Sequence, residues 1–208
     1  MSRLWIGLFL LAALSNVSPA WSMGPELLPR GFHTPIGSGG LDQKRFSEAV
    51  LILSNSARRQ DGLPPLKDDD RLVRAAATHA ANMAKLGELS HVLPVRGNSD
   101  LSQRLRKQSV RYGTAAENIM LEKVYRLVGR PISASSRGCS FVYGDTGKPV
   151  PVHSYASLAV AAVKRWLASP KHRASLLSKR FTRMGSGAGI DPHGPACGDL
   201  YIVQTFTD

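Results

Sequence analysis

Acidic residues are scarce in this 208-residue chain: 15 Asp and Glu stand against 27 Lys and Arg, a formal charge of +12. A chain with that balance meets anionic partners rather than cationic ones. Cysteine is scarcer still, with Cys139 and Cys197 alone and no Cys-x-x-Cys spacing, which argues against a redox dithiol or a zinc-thiolate cluster. Beyond the N-terminal run no apolar stretch is long enough for a transmembrane helix, and no internal repeat is visible. His-Glu-x-x-His, Gly-x-Ser-x-Gly, a phosphate loop and a dinucleotide fingerprint are all missing, so no standard catalytic signature assigns an activity.

What is present begins with a secretory signal over residues 1–22. Arg3 supplies the positive start, Leu4 to Leu14 the apolar run, and Ser18, Ala20 and Ser22 the small residues of a cleavage region. An uncleaved N-terminal anchor is the alternative, although the run is short for a bilayer. No Cys follows it, so a lipoprotein anchor is not indicated. Removing Arg3, the one charged residue of the segment, takes +12 to +11. The exported protein is expected to be a secreted or periplasmic monomer whose partners are lipid, a cell-envelope polymer or a protein ligand, with peripheral contact to an anionic membrane surface. Nucleic acid is not expected: the basic cluster Arg104, Arg106, Lys107 and Arg111 has one nearby stacking platform, Tyr112, and reads as the solvated face of a short helix. In an oxidising compartment the two cysteines imply one disulfide, closing a loop worth about 4 kcal/mol in the chain-entropy model.

Residues 23–40, rich in Pro and Gly, read as a flexible linker, and the folded domain is expected over 41–208. Phe46, Ala49, Val50 and Leu53 recur at helical spacing before Gly62-Leu63-Pro64-Pro65 ends the segment. A second helix starts at Asp68 to Asp70, carries Leu72, Ala75, Ala76, His79, Met83 and Leu86 on one stripe, and stops at Gly87. His79 on that stripe is expected to be a satisfied core residue, outside any site. Leu101 to Val110 forms a short helix, and Ala115 to Leu121 an extended or helical turn. Residues 129–152, rich in Gly, Pro and Ser, read as a β-hairpin with a tight turn. Ser154 to Ala168 is helical, Ser169-Pro170 restarts a helix with Ser169 as its cap, and Met184 to Ile190 and Leu200 to Phe206 are strands. Helices followed by antiparallel strands give an α+β class.

Five short segments then stand in a particular order: Asn55-x-x-Arg58-x-x-x-Gly62-Leu63-x-Pro65-Leu66, Ser90-His91, Glu117-Asn118-Ile119, Trp166-x-x-Ser169-Pro170-x-His172-Arg173 and Tyr201-x-x-Gln204-x-Phe206. Their order and completeness resemble the CAP (SCP) domain family of cysteine-rich secretory proteins, antigens and pathogenesis-related proteins, in its bacterial single-domain form. The resemblance implies a three-layer α-β-α sandwich with a small antiparallel sheet and a central cleft built on His and Glu, and it marks the 129–152 hairpin as an insertion that could act as a flap. In this chain His91 and Glu117 match the eukaryotic pattern of two His and two Glu. Ser169 stands where that pattern has Glu, Tyr201 where it has His, and His172 comes from the bacterial Ser-Pro-x-His form. The expected cleft is therefore His91, Glu117, His172, Ser169 and Tyr201, with Asn118, Trp166, Gln204 and Phe206 structural and Asn55 and Arg58 bonding loops.

His172 falls at the third position of its helix, where the N-terminal partial charge should lower its pKa and keep the imidazole neutral. Two imidazoles and one carboxylate, His91, His172 and Glu117, would suit Zn²⁺ or another divalent metal with an open position for water. Pairing of Glu117 with Arg104 and a backbone bond from His91 form the competing structural reading. Two functions follow: a binding module, or a metal-assisted or Ser-dependent peptidase using Glu117, His91 and His172. Ser90 and Ser169 are poor nucleophile candidates, and family membership alone does not choose between the functions.

Overall fold

The computed structural model describes residues 23–37, 40–127, 129–134 and 139–208, so the signal segment and part of the inserted hairpin lie outside it. Helix α1 spans Gln43–Gln60 and starts on Asp42, whose side chain accepts from the Arg45 N–H. Helix α2, Asp70–Leu86, starts on Asp69 and ends at Gly87 with φ +66°, a conformation a side chain would resist. Helix α3 covers Leu101–Lys107, shorter than the spacing suggested because Ser109 turns to φ 55°. Helix α4, Tyr155–Ala168, opens with a capping box between Ser154 and Ser157, and α5, Pro170–Leu176, follows at once.

The strands are β1 (Lys67–Asp68), β2 (Ala115–Lys123), β3 (Ile132–Ala134), β4 (Phe141–Tyr143), β5 (Arg183–Asp191) and β6 (Asp199–Thr207). The main sheet runs β1-β5-β6-β2, antiparallel except for the β1–β5 pair, and leaves β2 at an edge. One face, with Met120, Met184, Ile202 and Phe206, packs on α1, α4 and the buried Trp166. The other, with Ile119, Tyr201 and Val203, packs on Ala76, Ala80 and Met83 of α2. The molecule is thus the expected three-layer α+β sandwich. Beyond β1, the free edge of β5 is satisfied by α1: Gln43 bonds both the Ala188 N–H and C=O, and Ser47 accepts from the Ser186 N–H.

Close approach of α2 to the sheet depends on three alternate glycines of β5. A Cβ on Gly185 would lie 2.3 Å from the Val73 N, one on Gly187 2.3 Å from the Ala77 N, and one on Gly189 2.3 Å from the Ala80 O. All three obstacles are helix backbone, so no side-chain rotation could relieve them. Asn55 and Arg58 tie loops as anticipated. The Asn55 amide exchanges two hydrogen bonds with the Leu66 backbone, and the fully buried Arg58 donates to the carbonyls of Pro64, Leu176 and Ser178.

Residues 23–37 correct the expectation of a flexible linker. Short 3-10 turns at Pro25–Leu27 and Arg30–His33 place Met23, Leu28, Phe32 and Ile36 in the main core, and the Ile36 N–H donates to the His153 carbonyl at 2.8 Å. Proline and glycine shape this segment, while four spaced apolar side chains anchor it. In the insertion, β3 and β4 pair antiparallel, and Cys139–Cys197 links its hairpin to the β5–β6 turn across a Cα separation of 5.4 Å.

Gly187→Ala should lower unfolding stability by at least about 2 kcal/mol, because the added methyl must displace helix backbone. Gly31, with nothing within 4 Å of an added Cβ, serves as control. Its Ala variant should stay within about 0.5 kcal/mol of the parent in urea unfolding, and equal losses in the two variants would refute the close-packing argument.

Candidate functional site

Glu117 lies on β2 opposite Thr205, on the face covered by α2. Its side chain is buried, and a buried carboxylate needs a partner. Arg104, from α3, supplies it: Nη2 donates to Oε2 at 2.8 Å and to Oε1 at 3.0 Å. The same guanidinium donates to the carbonyls of His91, Asn98 and Ser99, each at 3.3 Å, so it binds α3, the 91–99 loop and β2 into one unit. Arg104 is 1 % exposed, which corrects its assignment to a solvated basic face; Arg106 and Lys107 do face solvent. The sequence had also offered Arg104 as a partner of Glu117 in the competing structural reading, and that pair is formed.

His91 approaches the same carboxylate from the solvent side, Nδ1 at 2.9 Å from Glu117 Oε1. A carboxylate only accepts, so in the neutral ring the proton sits on Nδ1 and Nε2 keeps its lone pair. With its side chain 54 % exposed, His91 offers that lone pair at the surface. His79 approaches from beneath: it is fully buried, with Nε2 3.6 Å from Glu117 Oε1. Burial drives its pKa from 6.5 down to about 4 against the pull of Glu117, so it is neutral at physiological pH. The sequence placed His79 in the core, and it is there; its contact with Glu117 was missed because helical spacing does not reveal what lies across the sheet.

His172 arrives from the opposite layer at the third position of α5. Its pKa is lowered, first by burial and then by the like charge of nearby His91, whereas the sequence argument had invoked the helix terminus. The neighbouring residue on β2, Asn118, is buried and donates to the His172 carbonyl at 3.1 Å and to Gln204 Oε1 at 3.2 Å. Gln204 in turn donates to Ser54 Oγ at 3.0 Å. Glu117 therefore holds the His91 ring on one face of the strand, and Asn118 holds the His172 backbone on the other.

Two expected members do not join this group as proposed. Tyr201 pairs with Leu121, four positions along β2 from Glu117 and thus roughly 13 Å away; it is buried in the α2 layer beside Ala80 and Met83. Strand pairing, which a motif position does not encode, sets it apart. Ser169 precedes α5 but makes no side-chain capping bond, so Pro170 at the first helical position carries the restart. Ser90 Oγ donates to the Val92 carbonyl at 2.7 Å, which leaves it no activating contact with His91.

The donor set does not fit the expected metal. Both oxygens of Glu117 accept from Arg104, His91 Nδ1 is turned onto the same carboxylate, and a cation there would face the guanidinium charge. Among the described residues no group of three or more His, Cys, Asp or Glu side chains could hold a metal ion. The arrangement presents the His91 imidazole on a neutralised, buried ion pair.

Arg104→Met should cost about 3–5 kcal/mol by stranding the buried Glu117 charge, and adding Glu117→Gln should recover at least half of that loss. Denaturant unfolding of the two variants checks this, and a single-variant loss below about 1 kcal/mol would contradict it. Acid should act through histidine. His79 and His153, both buried, have pKa values lowered to about 4, so between pH 6.5 and 4 the unfolded chain binds more protons than the folded one. Their stabilisation is complete above that window and is lost as pH falls through it, on the order of 2 kcal/mol per histidine by about pH 5. A His79→Gln, His153→Gln double variant should flatten the decline in melting temperature between pH 7 and 5; an unchanged slope would assign it to other groups.

The model of the "Cysteine-rich secretory protein family" matches residues 51–206. "Uncharacterized protein YkwD" of Bacillus subtilis is 24% identical over 142 residues, 68% of this chain and 42% of that protein. An extracellular protein of Bacillus anthracis containing a SCP domain superposes with a TM-score of 0.57 at 23% identity, covering 84% of this chain and 44% of that one. An outer surface protein of Borrelia burgdorferi gives 0.51 at 16% identity, covering 80% and 96%. The chain thus spans less than half the length of the two Bacillus proteins, and at these identities the solved structures speak for the fold alone. With the family model covering most of the domain, and the order of helices, strands and motif residues agreeing with it, the chain belongs to the cysteine-rich secretory protein (CAP) family.

Proposed function

We propose that this is an exported CAP-domain binding module whose His91 and His172 imidazoles engage an envelope component without a metal. The observation that carries the reading is the complete engagement of Glu117 by Arg104, which fixes the carboxylate that holds the His91 ring while withdrawing it from external chemistry. Imidazole nitrogens at a surface donate or accept hydrogen bonds, as recognition of hydroxyl-, amide- or phosphate-bearing groups requires. Export rests on the Arg3 and Leu4 to Leu14 pattern together with the extracellular and surface character of the two solved neighbours. Among the described residues no helix is long and apolar enough to cross a membrane.

One observation favours a hydrolytic alternative: the Glu117–His91 bond orients His91 Nε2 as a carboxylate orients the base of a nucleophilic triad. The adjacent Ser90 donates to the Val92 carbonyl instead, so the base would act on a water molecule.

Retention of the purified protein on an isolated cell-envelope fraction tests the first reading. His91→Ala and His172→Ala, each shown to be folded, should both weaken retention by about tenfold, on the scale of lost hydrogen bonds; undiminished retention in both would overturn it. Casein turnover abolished by His91→Ala would establish the alternative. A Zn²⁺ titration should show no one-to-one site sensitive to Glu117→Gln; a site that is sensitive would reinstate the metal.

A further inference from the structure

No Asp or Glu occurs between Asp145 and Asp191, while Lys148, Lys164, Arg165, Lys171, Arg173, Lys179, Arg180 and Arg183 all fall there. The fold gathers part of this stretch at one end of the sandwich. Arg58 binds the carbonyls of Leu176 and Ser178 and so docks the end of α1 against α5 and the turn after it. Arg59, Lys164, Lys171, Lys179 and Arg180 are thereby brought to the same end from α1, α4, α5 and that turn. All five are exposed, and none makes an ion pair among the described residues. Arg165, by contrast, is spent on Glu122 at 3.1 Å, and Arg183 on Asp69 at 3.2 Å.

Between α4 and α5 runs a groove of about 400 Å³ lined by Leu167, Pro170, Ala174 and Leu177, with Arg173 and the acidic Asp61 at its edge. The exposed large hydrophobic side chains, Leu27, Leu86, Leu89, Val92, Tyr112 and Ile132, all lie outside the stretch from α4 to β5. A surface that inserts into a bilayer needs apolar anchors beside its charges, and one that reads single-stranded nucleic acid needs exposed aromatic rings. No large hydrophobic or aromatic side chain of α4, α5 or the turn after it is exposed, whereas Lys164, Lys171, Lys179 and Arg180 are.

We propose that the α4–α5 end is a docking surface for a water-soluble polyanion of the phosphate-bearing envelope-polymer class, laid along the groove and bound by several separated cations at once. Each exposed cation contributes little by itself, and a chain carrying repeated charges engages them together. Counterion release then makes the affinity fall steeply with salt, as for other polyphosphates. The surface stands independently of the His91 reading: none of its five cations takes part in the His91–Glu117–Arg104 contacts.

Inorganic polyphosphate is the probe, titrated into the protein at low and at physiological salt. Binding should weaken at least about tenfold between the two salt concentrations. Lys171→Glu with Arg180→Glu should weaken it at least about tenfold, Lys171→Gln with Arg180→Gln by less in the same direction, and Arg96→Glu with Arg106→Glu by under about threefold. Circular dichroism confirms the fold of each, and His91→Ala should bind polyphosphate normally even if envelope retention is lost. Equal losses from the two charge-reversed pairs would reduce the effect to net charge and overturn the surface. So would competition by orthophosphate at equal phosphate concentration, which marks a single-anion site. Binding to phosphatidylglycerol vesicles without binding to polyphosphate would replace the polymer with a bilayer.

Discussion

Contact between α2 and β5 with no side chains from the strand is the constraint on which the rest of this structure depends. Gly185, Gly187 and Gly189 present bare backbone, and α2 meets them through Val73, Ala77 and Ala80 backbone atoms. The helix consequently lies close enough to the sheet for His79 to reach Glu117, two strands away on β2. A thicker layer would lift His79 from the carboxylate and open space beneath Glu117. Packing density here determines electrostatics, since the exclusion of water keeps His79 neutral and makes a partner for Glu117 obligatory.

That obligation explains why Arg104 is buried. Burying a guanidinium and a carboxylate together costs desolvation, offset by two mutual hydrogen bonds and by three carbonyls that take further guanidinium protons. The return is positional: one side chain fixes α3, the 91–99 loop and the tautomer of His91. A metal at the same place would need Glu117 released, leaving Arg104 buried and unpaired. Similarity to a family with a His and Glu cleft therefore does not carry the chemistry of a metal with it.

Most of the fold was legible because its signals are local. Apolar spacing located α1, α2 and α4, Gly87 marked a helix end, and Pro170 marked a restart. The site was legible in part: the motif order brought out His91 and Glu117, which are hydrogen-bonded, and His172, whose carbonyl is held by the next residue of β2, Asn118. Arg104 was visible as a partner of Glu117 in the competing reading, yet its burial depends on loop carbonyls that spacing cannot locate. Tyr201 was misplaced for a related reason, since strand register places it opposite Leu121. The 23–37 segment carries the composition of a linker, but Met23, Leu28, Phe32 and Ile36 fill space left by other elements, a property of the assembled core.

The edge position of β2 accounts for how His91 and His172 come to be held by adjacent residues of one strand. A side chain on one face of a sheet is normally screened from the other layer by the neighbouring strands. At an edge there is no further strand, so a loop from the α2 layer and the start of α5 can approach each other around it. Consecutive residues of an edge strand point to opposite faces, and here they are Glu117 and Asn118, one gripping the His91 ring and the other the His172 carbonyl. Two layers are thereby registered by one dipeptide. Exchanging the order of those two residues would keep composition and charge but put the carboxylate among Gln204 and Ser54, where Arg104 does not reach, and leave His91 without its acceptor. The adjacency of Glu and Asn is thus a geometric requirement of an edge-strand site, independent of the ligand it serves.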